Sequence, residues 1–290
     1  MTLSSLISAL DSWPRVAATN HEVIAELVAM GLERREAGWL VEEFFLGGEP
    51  SAKADLLTAA SRRLAGEPLQ YIIGHWPFRS LDLDVDARVL IPRPETEELV
   101  DVALGELDRD AVTPLIVDLG CGSGAIGLAL VSELRERGVV ATLVAVDESI
   151  DALAVAKANA RKHRVLTASF VQSSWFRELD DSLRGSVDLI VSNPPYVGGD
   201  EFEDLDPVLR YEPLGALVAP DSHGCAGFDD IATILDHGLE WLRPGGVLVM
   251  EHGDQQREAI LAYAIEQGWQ NVRDLDDLSG RPRIFVGSRP

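Results

Sequence analysis

The chain has 290 residues, of which 46% are hydrophobic and 25% are charged, values that are usual for a globular protein of one or two domains. Its 48 acidic and 25 basic residues give a formal net charge of −23. This charge argues against a nucleic-acid partner, because Lys and Arg supply most of the affinity for phosphates. Two cysteines offer neither a disulfide framework nor paired zinc ligands, so we expect no metal. Without an apolar run of membrane-spanning length or a signal-peptide pattern, we expect a cytoplasmic protein with no membrane partner.

Residues 1–75 carry apolar side chains at helical spacing and show no convincing strand. Spacings of three and four residues place such side chains on one face of a helix. The pattern begins at Leu3, Leu6, Ile7 and Leu10. It continues at Val23, Ile24, Leu27 and Val28, and again at Trp39, Leu40, Phe44 and Phe45. We therefore predict a small helical domain over residues 1–75.

Residues 76–91 predict a β-hairpin that joins this helical domain to the rest of the chain. Trp76-Pro77-Phe78 and the alternating Leu81, Leu83 and Val85 have the composition of short strands. The run Val89-Leu90-Ile91 is predicted as a further strand. A helix is expected to begin at about Glu95.

Residues 92–290 alternate apolar strands with helices. The strands are predicted at 115–119, 142–147, 166–171, 187–192 and 247–251. The helices between them are predicted at 125–136, 149–163 and 227–242. Such alternation indicates an α/β fold with a mostly parallel sheet that is covered on both faces. Two last strands, 272–275 and 283–286, have a connection short enough for an antiparallel pair.

A glycine-rich loop follows the strand at 115–119. It reads Asp118-Leu119-Gly120-Cys121-Gly122-Ser123-Gly124-Ala125-Ile126-Gly127. Glycines allow a ligand to lie against bare backbone, and ligands of open α/β sheets bind outside the carboxyl ends of the strands. The next strand ends in Asp147, whose carboxylate is suited to accept hydrogen bonds from ribose hydroxyls. A nucleotide-containing cofactor is therefore expected here.

Two nucleotide cofactors fit this loop. The dinucleotide fingerprint G-x-G-x-x-G is satisfied by Gly122, Gly124 and Gly127. Since Asp147 also lies at the expected distance, glycine spacing alone does not separate NAD from S-adenosylmethionine. Asp118 favours the methyl donor, because a carboxylate there opposes a pyrophosphate and tolerates a sulfonium cation. The stretch Asn193-Pro194-Pro195-Tyr196 favours it too, since a hydride-transfer site has no role for such a loop.

The Asn193-Pro194-Pro195-Tyr196 stretch predicts a compact site for a planar –NH2 group. Two consecutive prolines after a strand prevent a helix from starting and keep the chain extended. Its carbonyl oxygens are then unclaimed by secondary structure. The side chain of Asn193 beside those carbonyls and the ring of Tyr196 complete the site. Opposite a glycine loop and Asp147, this arrangement predicts methyl transfer to nitrogen.

Together these features resemble class I methyltransferases, specifically the protein-(glutamine-N5) methyltransferases of the PrmC/HemK family, which modify peptide chain release factors. Other segments that resemble the family are 67–74, 89–97, 171–176 and 242–246. The resemblance implies a Rossmann-like, mostly parallel seven-stranded sheet with a small N-terminal helical domain joined by a β-hairpin. The implied domains are a substrate-docking domain at 1–75, a linker at 76–91 and an S-adenosylmethionine-dependent methyltransferase domain at 92–290.

The resemblance also implies how S-adenosyl-L-methionine, the expected cofactor, is bound. Asp147 is expected to hold the ribose, Trp175 to lie near the adenine and Asn193 to border the cofactor. Asp118 and Glu95 are further candidates near it. The methionine part is expected to lie against Gly120, Cys121, Gly122, Ser123 and Gly124.

The implied substrate is the glutamine of a Gly-Gly-Gln motif in peptide chain release factors, and the enzyme is expected to be a monomer. Asn193, through its side-chain oxygen, and Pro194, through its carbonyl, are expected to accept hydrogen bonds from the substrate amide. Tyr196 is expected to stack on that amide, and Pro195 belongs to the same substrate-binding loop. These roles make Asn193, Pro194 and Tyr196 the expected catalytic residues.

Two other functions share parts of this pattern. DNA adenine and cytosine amino-methyltransferases use the same tetrapeptide, but the charge of −23 counts against DNA. A module that merely binds the cofactor is the third hypothesis, and the intact tetrapeptide counts against it.

Arg93 is expected either to pair with a carboxylate or to contact substrate. Residues 218–228 depart from the family pattern in lacking Asp-Gly-Leu, which leaves the loop over the substrate entrance in doubt.

Overall fold

The computed structural model describes residues 19–45, 50–107, 113–202 and 205–290. The chain divides into two compact units, the first ending at Gly74 and the second running from His75 to Pro290. The helical periodicity predicted at Leu3, Leu6, Ile7 and Leu10 lies outside the described residues. Within the described ranges, no helix has the length and apolar character needed to span a membrane.

The first unit is helical in its described part. Its helices are α1 (Asn20–Ala29), α2 (Arg34–Phe44), α3 (Pro50–Leu64) and α4 (Leu69–Ile73). Thr19 caps α1 through a reciprocal capping box with Glu22. The core of the unit contains fully buried leucines from three different helices, Leu27, Leu40 and Leu56. The prediction of a helical N-terminal region is confirmed for these residues.

The second unit begins with a β-hairpin. Strands β1 (His75–Phe78) and β2 (Leu81–Asp84) pair antiparallel, with Phe78 opposite Leu81. The prediction of a strand over residues 89–91 is wrong. The N–H of Val89 donates to the carbonyl of Asp86 in a turn, at 3.1 Å. The N–H of Ile91 donates to the carboxylate of Glu212 at 3.0 Å, so it does not join a β-ladder.

A seven-stranded sheet forms the centre of the second unit, as predicted. Its strands are β3 (Leu115–Leu119), β4 (Thr142–Asp147), β5 (Ala168–Gln172), β6 (Val187–Ser192), β7 (Leu242–Glu251), β8 (Gln270–Asp276) and β9 (Pro282–Ser288). Their spatial order is β5-β4-β3-β6-β7-β9-β8. The first five strands in that order pair in parallel. Strand β9 runs antiparallel to both of its neighbours, which confirms the predicted antiparallel tail.

Helices cover both faces of the sheet. They are α5 (Thr96–Glu106), α6 (Ala125–Glu136), α7 (Ile150–Lys162), α8 (Asp229–Trp241) and α9 (Arg257–Glu266). Successive residues of a strand point to opposite faces. Accordingly Ile116 of β3 joins the core beneath α5, α6 and α7, whereas Val117 joins the core beneath α8 and α9. The almost continuous apolar strands of the sequence follow from this two-sided burial.

Strand β5 begins two residues later than predicted. Arg164 has a left-handed φ of 56°, and the N–H of Val165 donates to the carbonyl of Ala160 at 2.8 Å. This turn closes the end of α7 and leaves Leu166 in a loop with 86% of its surface exposed. The apolar character of Leu166 therefore gave a misleading strand signal.

Candidate active site

The order of the strands creates a crevice at one edge of the sheet. From β3 the chain builds outward through β4 to β5, and it then returns to place β6 on the other side of β3. Such a reversal of strand order separates the two adjacent connecting loops at the carboxyl ends. The glycine loop after β3 and the Asn193 loop after β6 therefore lie on the two sides of one crevice.

The glycine loop is held against the neighbouring strand. The N–H of Cys121 donates to the carbonyl of Val146 at 2.9 Å. Gly122 has a φ of 53°, and a Cβ on it would meet no atom within 4 Å. This left-handed conformation favours glycine. Because Gly122 also lies in the crevice wall, its bare backbone is open to a ligand. Cys121 and Ser123 are buried inside the loop, and the carbonyl of Ser123 accepts from Asn159 Nδ2 at 2.9 Å.

Asp147 ends β4 and orders the loops around it. Its Oδ2 accepts from the N–H of Gly122 at 2.8 Å, and its Oδ1 accepts from the N–H of Ser149 at 2.9 Å. Burial raises the pKa of Asp147, and the two N–H donors oppose that shift. Asp147 also lines the crevice, so its carboxylate is available to hydroxyl donors of a ligand.

Asp118 lies fully buried next to the glycine loop. Its Oδ2 accepts from the N–H of Gly127 at 2.9 Å, while its Oδ1 has no hydrogen-bond partner among the described residues. Burial raises its pKa to about 7, and the charge of Asp147 adds to the shift. An uncompensated carboxyl group in this position disfavours a pyrophosphate and favours a cation. The dinucleotide alternative therefore loses support.

The crevice contains a cavity of about 350 Å³. Its wall combines bare glycine backbone, acidic side chains and an aromatic ring, contributed by Gly120, Gly122, Asp147, Glu148, Trp175, Asn193, Pro195 and Asp230. A ligand that carries a planar base, a ribose and a positive charge fits this set of groups. The residues present are thus suited to S-adenosyl-L-methionine.

Trp175 forms the aromatic part of this wall. Its Nε1–H donates to Asp230 Oδ1 at 3.0 Å, which fixes the plane of the indole. Its φ of 51° is left-handed. Its ring lies against the glycine loop, where a Cβ on Gly120 would lie 3.6 Å from the ring. Its expected place beside an adenine remains a prediction that this geometry permits.

The loop after β6 presents two of its four residues to the cavity. Asn193 and Pro195 lie on the wall, whereas Pro194 is buried. Tyr196 is not one of the residues that line this cavity, and its hydroxyl donates to Glu251 Oε1 at 3.2 Å. Burial raises the pKa of Tyr196, so the phenol stays protonated near neutral pH. The expectation that Tyr196 stacks on the substrate stays untested by this contact.

Two residues behind this loop were not identified from the sequence. Thr96 begins α5, and its Oγ1 lies 3.3 Å from Asn193 Nδ2 and 2.7 Å from Glu251 Oε2. Glu251 ends β7 and is 2% exposed. The sequence does place Glu251 at the carboxyl end of a predicted strand, where ligands of such sheets bind, and this was the one signal that could have identified it. The neighbouring His252 is fully buried and pairs with Asp274 through Nε2 at 2.5 Å.

Arg93 has a structural partner. Its Nη2 lies 2.5 Å from Glu212 Oε1, so the expectation of a carboxylate partner is confirmed. Glu212 also accepts from the N–H of Ile91, and its side chain is 1% exposed. This carboxylate connects the segment before α5 with the segment that supplies Pro213 and Gly215 to the cavity wall.

Comparison with known proteins identifies related enzymes. A family model described as a methyltransferase small domain matches residues 100–205. The chain is 43% identical over 226 residues to a release factor glutamine methyltransferase of Aliivibrio fischeri, an alignment that covers 78% of this chain and 75% of the relative. A protein of the same name from Escherichia coli is 36% identical over 281 residues, covering 92% of this chain and 96% of the relative.

Solved structures agree with this fold. A class I S-adenosylmethionine-dependent methyltransferase of Listeria monocytogenes has a TM-score of 0.51 at 15% identity, over 93% of this chain and 87% of that one. A methyltransferase of Pyrococcus furiosus has a TM-score of 0.51 at 14% identity, over 82% and 97%. At such identities the likeness concerns the fold alone. The sequence relatives, in contrast, show that the chain belongs to the release factor glutamine methyltransferase family.

Proposed function

We propose that this enzyme transfers the methyl group of S-adenosyl-L-methionine to the side-chain amide nitrogen of the glutamine in the Gly-Gly-Gln motif of peptide chain release factors. The observation that carries the proposal is the position of Asn193 on the cavity wall with Nδ2 directed to Thr96. Its Oδ1 is then left to accept a hydrogen bond from an acceptor –NH2 group. The family relatives supply the identity of the protein substrate.

The chain's own residues act by binding and orienting. Asn193 Oδ1 and the carbonyl of Pro194 would accept the two N–H groups of the substrate amide and direct its nitrogen. An amide nitrogen is a poor nucleophile, because its lone pair is delocalised into the carbonyl. Alignment is therefore expected to supply most of the rate gain, with effective molarities that can reach ~10⁵ M or more. Tyr196 would exclude water beside the amide plane, and Pro195 would keep the loop extended.

The cofactor, when bound, supplies an electrophilic methyl group on a sulfonium. Asp147 would accept from the ribose hydroxyls, and Trp175 would pack against the adenine. Asp118 would compensate positive charge from beneath the glycine loop. The loop residues Gly120, Cys121, Gly122, Ser123 and Gly124 would follow the methionine part. These assignments are supported by the lining of the cavity and by the acidic groups that surround it.

The helical first unit is proposed to dock the release factor, with residues 76–91, which include most of the β1–β2 hairpin, as the linker to the methyltransferase domain at 92–290. Its support is the division of the chain into two compact units, with the boundary in the sequence between Gly74 and His75. The monomeric state and the cytoplasmic location expected from the sequence remain predictions.

A methyl-transfer assay tests the proposed function. The purified protein is incubated with labelled S-adenosyl-L-methionine and either a recombinant release factor or duplex DNA. We expect label in the release factor, no label when its Gly-Gly-Gln glutamine is replaced by alanine, and no label in DNA. Label that survives the glutamine replacement would overturn the substrate assignment. DNA methylation that falls steeply with salt would favour the amino-methyltransferase of nucleic acids instead.

A further inference from the structure

One buried carboxylate connects both ends of the 193–196 loop. Glu251 Oε2 accepts from the hydroxyl of Thr96 at 2.7 Å, and Glu251 Oε1 accepts from the hydroxyl of Tyr196 at 3.2 Å. The Thr96 Oγ1 in turn lies 3.3 Å from Asn193 Nδ2. Thr96 is 4% exposed and Glu251 is 2% exposed. The first and last residues of the loop are therefore both tied to the carboxylate that ends β7.

The buried side chain of Glu251 determines which groups of this network donate and which accept. Burial raises the pKa of Glu251, and the hydroxyl of Thr96, the charge of Arg283 and the hydroxyl of Tyr196 oppose that shift. In the carboxylate form that these groups favour, Glu251 offers acceptors and no donor. A hydroxyl has one proton, and Thr96 gives that proton to Glu251. The lone pairs of Thr96 Oγ1 then require a donor, which Asn193 supplies through Nδ2. The opposite atom of the amide, Oδ1, is consequently directed away from Thr96.

We propose that Thr96 and Glu251 are positioning residues that fix the side-chain amide of Asn193 with its oxygen toward the methyl acceptor. This inference rests on the proposed function and names what selects its acceptor group. An –NH2 acceptor donates to an oxygen in this place. If the amide of Asn193 were reversed, Nδ2 and the acceptor nitrogen would face each other as two donors, and the acceptor would be held poorly.

A purely structural role is the competing explanation for the same contacts. In that case Thr96 and Glu251 merely tie α5, β7 and the loop together, and losing the hydroxyl would loosen the whole site. Positioning makes a narrower claim, since it concerns which atom of one amide faces the cavity. The two explanations differ in their effect on cofactor affinity and in their dependence on the residue at position 193.

The first experiment compares Thr96→Val with Thr96→Ser in the full-length enzyme. Valine keeps the branched shape and removes the hydroxyl, whereas serine keeps the hydroxyl. We expect Thr96→Val to lower kcat/KM for methyl transfer by roughly 10- to 100-fold, because the acceptor is misaligned. Thr96→Ser should retain most of the activity, and both variants should bind S-adenosyl-L-methionine with the wild-type Kd. Equal activity of the two variants, or a weakened cofactor Kd in Thr96→Val alone, would overturn the proposal.

The second experiment places the same change in an Asn193→Asp background. A carboxylate has two equivalent oxygens, so it needs no partner to choose which atom faces the acceptor. Thr96→Val should therefore cost no further activity once Asp is at position 193. If Thr96→Val lowered the activity by the same factor with Asn and with Asp at position 193, that result would contradict positioning of the amide. If Asn193→Asp turns over too slowly, the comparison uses the binding of a Gly-Gly-Gln peptide amide in the presence of S-adenosylhomocysteine. Thr96→Val should then bind this peptide more weakly than Thr96→Ser does.

These experiments distinguish failure of the proposed function from failure of the positioning role. A wild-type enzyme that does not label the release factor would refute the proposed substrate. The ratio of Thr96→Val to Thr96→Ser activity is then measured with duplex DNA, whose acceptor is also an –NH2 group. A ratio near one with an acceptor that the wild type does methylate would refute the positioning role, whichever acceptor that is.

Discussion

At the scale of the residue, Asp118 shows how burial adjusts a group for a charged ligand. Its folded-state pKa of about 7 lies above the ordinary aspartate value, chiefly because the carboxyl is removed from water. Between about pH 4 and pH 7 the folded ligand-free protein therefore keeps a proton that the unfolded chain has lost. The stability that this proton contributes is fully present in acid and is lost as the pH rises through about 7.

The titration of Asp118 predicts a pH-dependent affinity for the cofactor. A positively charged cofactor favours the ionised carboxylate, so binding below pH 7 should release a proton. The affinity should rise with pH by up to about tenfold per unit until pH 7 and then level off. Calorimetry in two buffers of different ionisation enthalpy measures the proton release, and Asp118→Asn should remove most of it. Asp147, whose pKa burial also raises, would account for a slope that remains. Identical slopes in the wild type and Asp118→Asn would contradict this role.

At the scale of the element, the segment 218–228 is joined closely to the Asn193 loop. Gly227 has a φ of 62°, and a Cβ on it would lie 2.2 Å from the carbonyl oxygen of Tyr196. Gln256 Nε2 donates to the carbonyl of Ala226 at 2.7 Å and lies 3.3 Å from that of Tyr196. Although this segment lacks the Asp-Gly-Leu of the family pattern, it thus packs against the substrate loop.

Gly227→Ala should displace the Asn193 loop, because the added methyl group cannot fit beside the Tyr196 carbonyl. Gly224→Ala is the matched control, since Gly224 has a φ of 75° and open space around the added atom. The control should cost the left-handed strain alone, about 1–2 kcal/mol of unfolding free energy. Gly227→Ala should lose more stability and most of the methyl-transfer activity. Thermal melts and transfer rates measure both effects, and indistinguishable variants would refute the packing argument.

The ion pair between Arg93 and Glu212 predicts an asymmetric response to mutation. The Glu212 side chain is 1% exposed, whereas that of Arg93 is 32% exposed and can reach water. Arg93→Ala leaves a buried carboxylate without its cation and should cost about 3–5 kcal/mol of unfolding free energy. Glu212→Ala leaves the N–H of Ile91 unpaired and should cost less, about 1–3 kcal/mol. Urea denaturation of both variants tests this order, and a larger loss in Glu212→Ala would contradict it.

At the scale of the whole molecule, apolar patterning predicts the sheet better than it predicts the site. Strands β3, β4 and β6 begin and end where predicted, because burial on both faces gives each of them a run of mainly apolar residues. Residues 89–91 have the same apolar composition but lie beside a turn, where Glu212 occupies a backbone donor. That contact joins residues 121 positions apart and has no local signal. The same holds for Thr96 and Glu251, which only the folded sheet brings to Asn193.

The division into two units predicts separable binding of cofactor and protein substrate. Every residue that lines the cavity, from Arg88 to Asp230, belongs to the second unit. A chain that contains residues 75–290 alone should therefore bind S-adenosyl-L-methionine with the Kd of the full-length protein and methylate a short Gly-Gly-Gln peptide at the same rate. Its KM for an intact release factor should rise, because the proposed docking surface on the first unit is missing. An unchanged KM for the release factor would place recognition in the second unit. Loss of cofactor binding would show instead that the second unit requires the first for its fold.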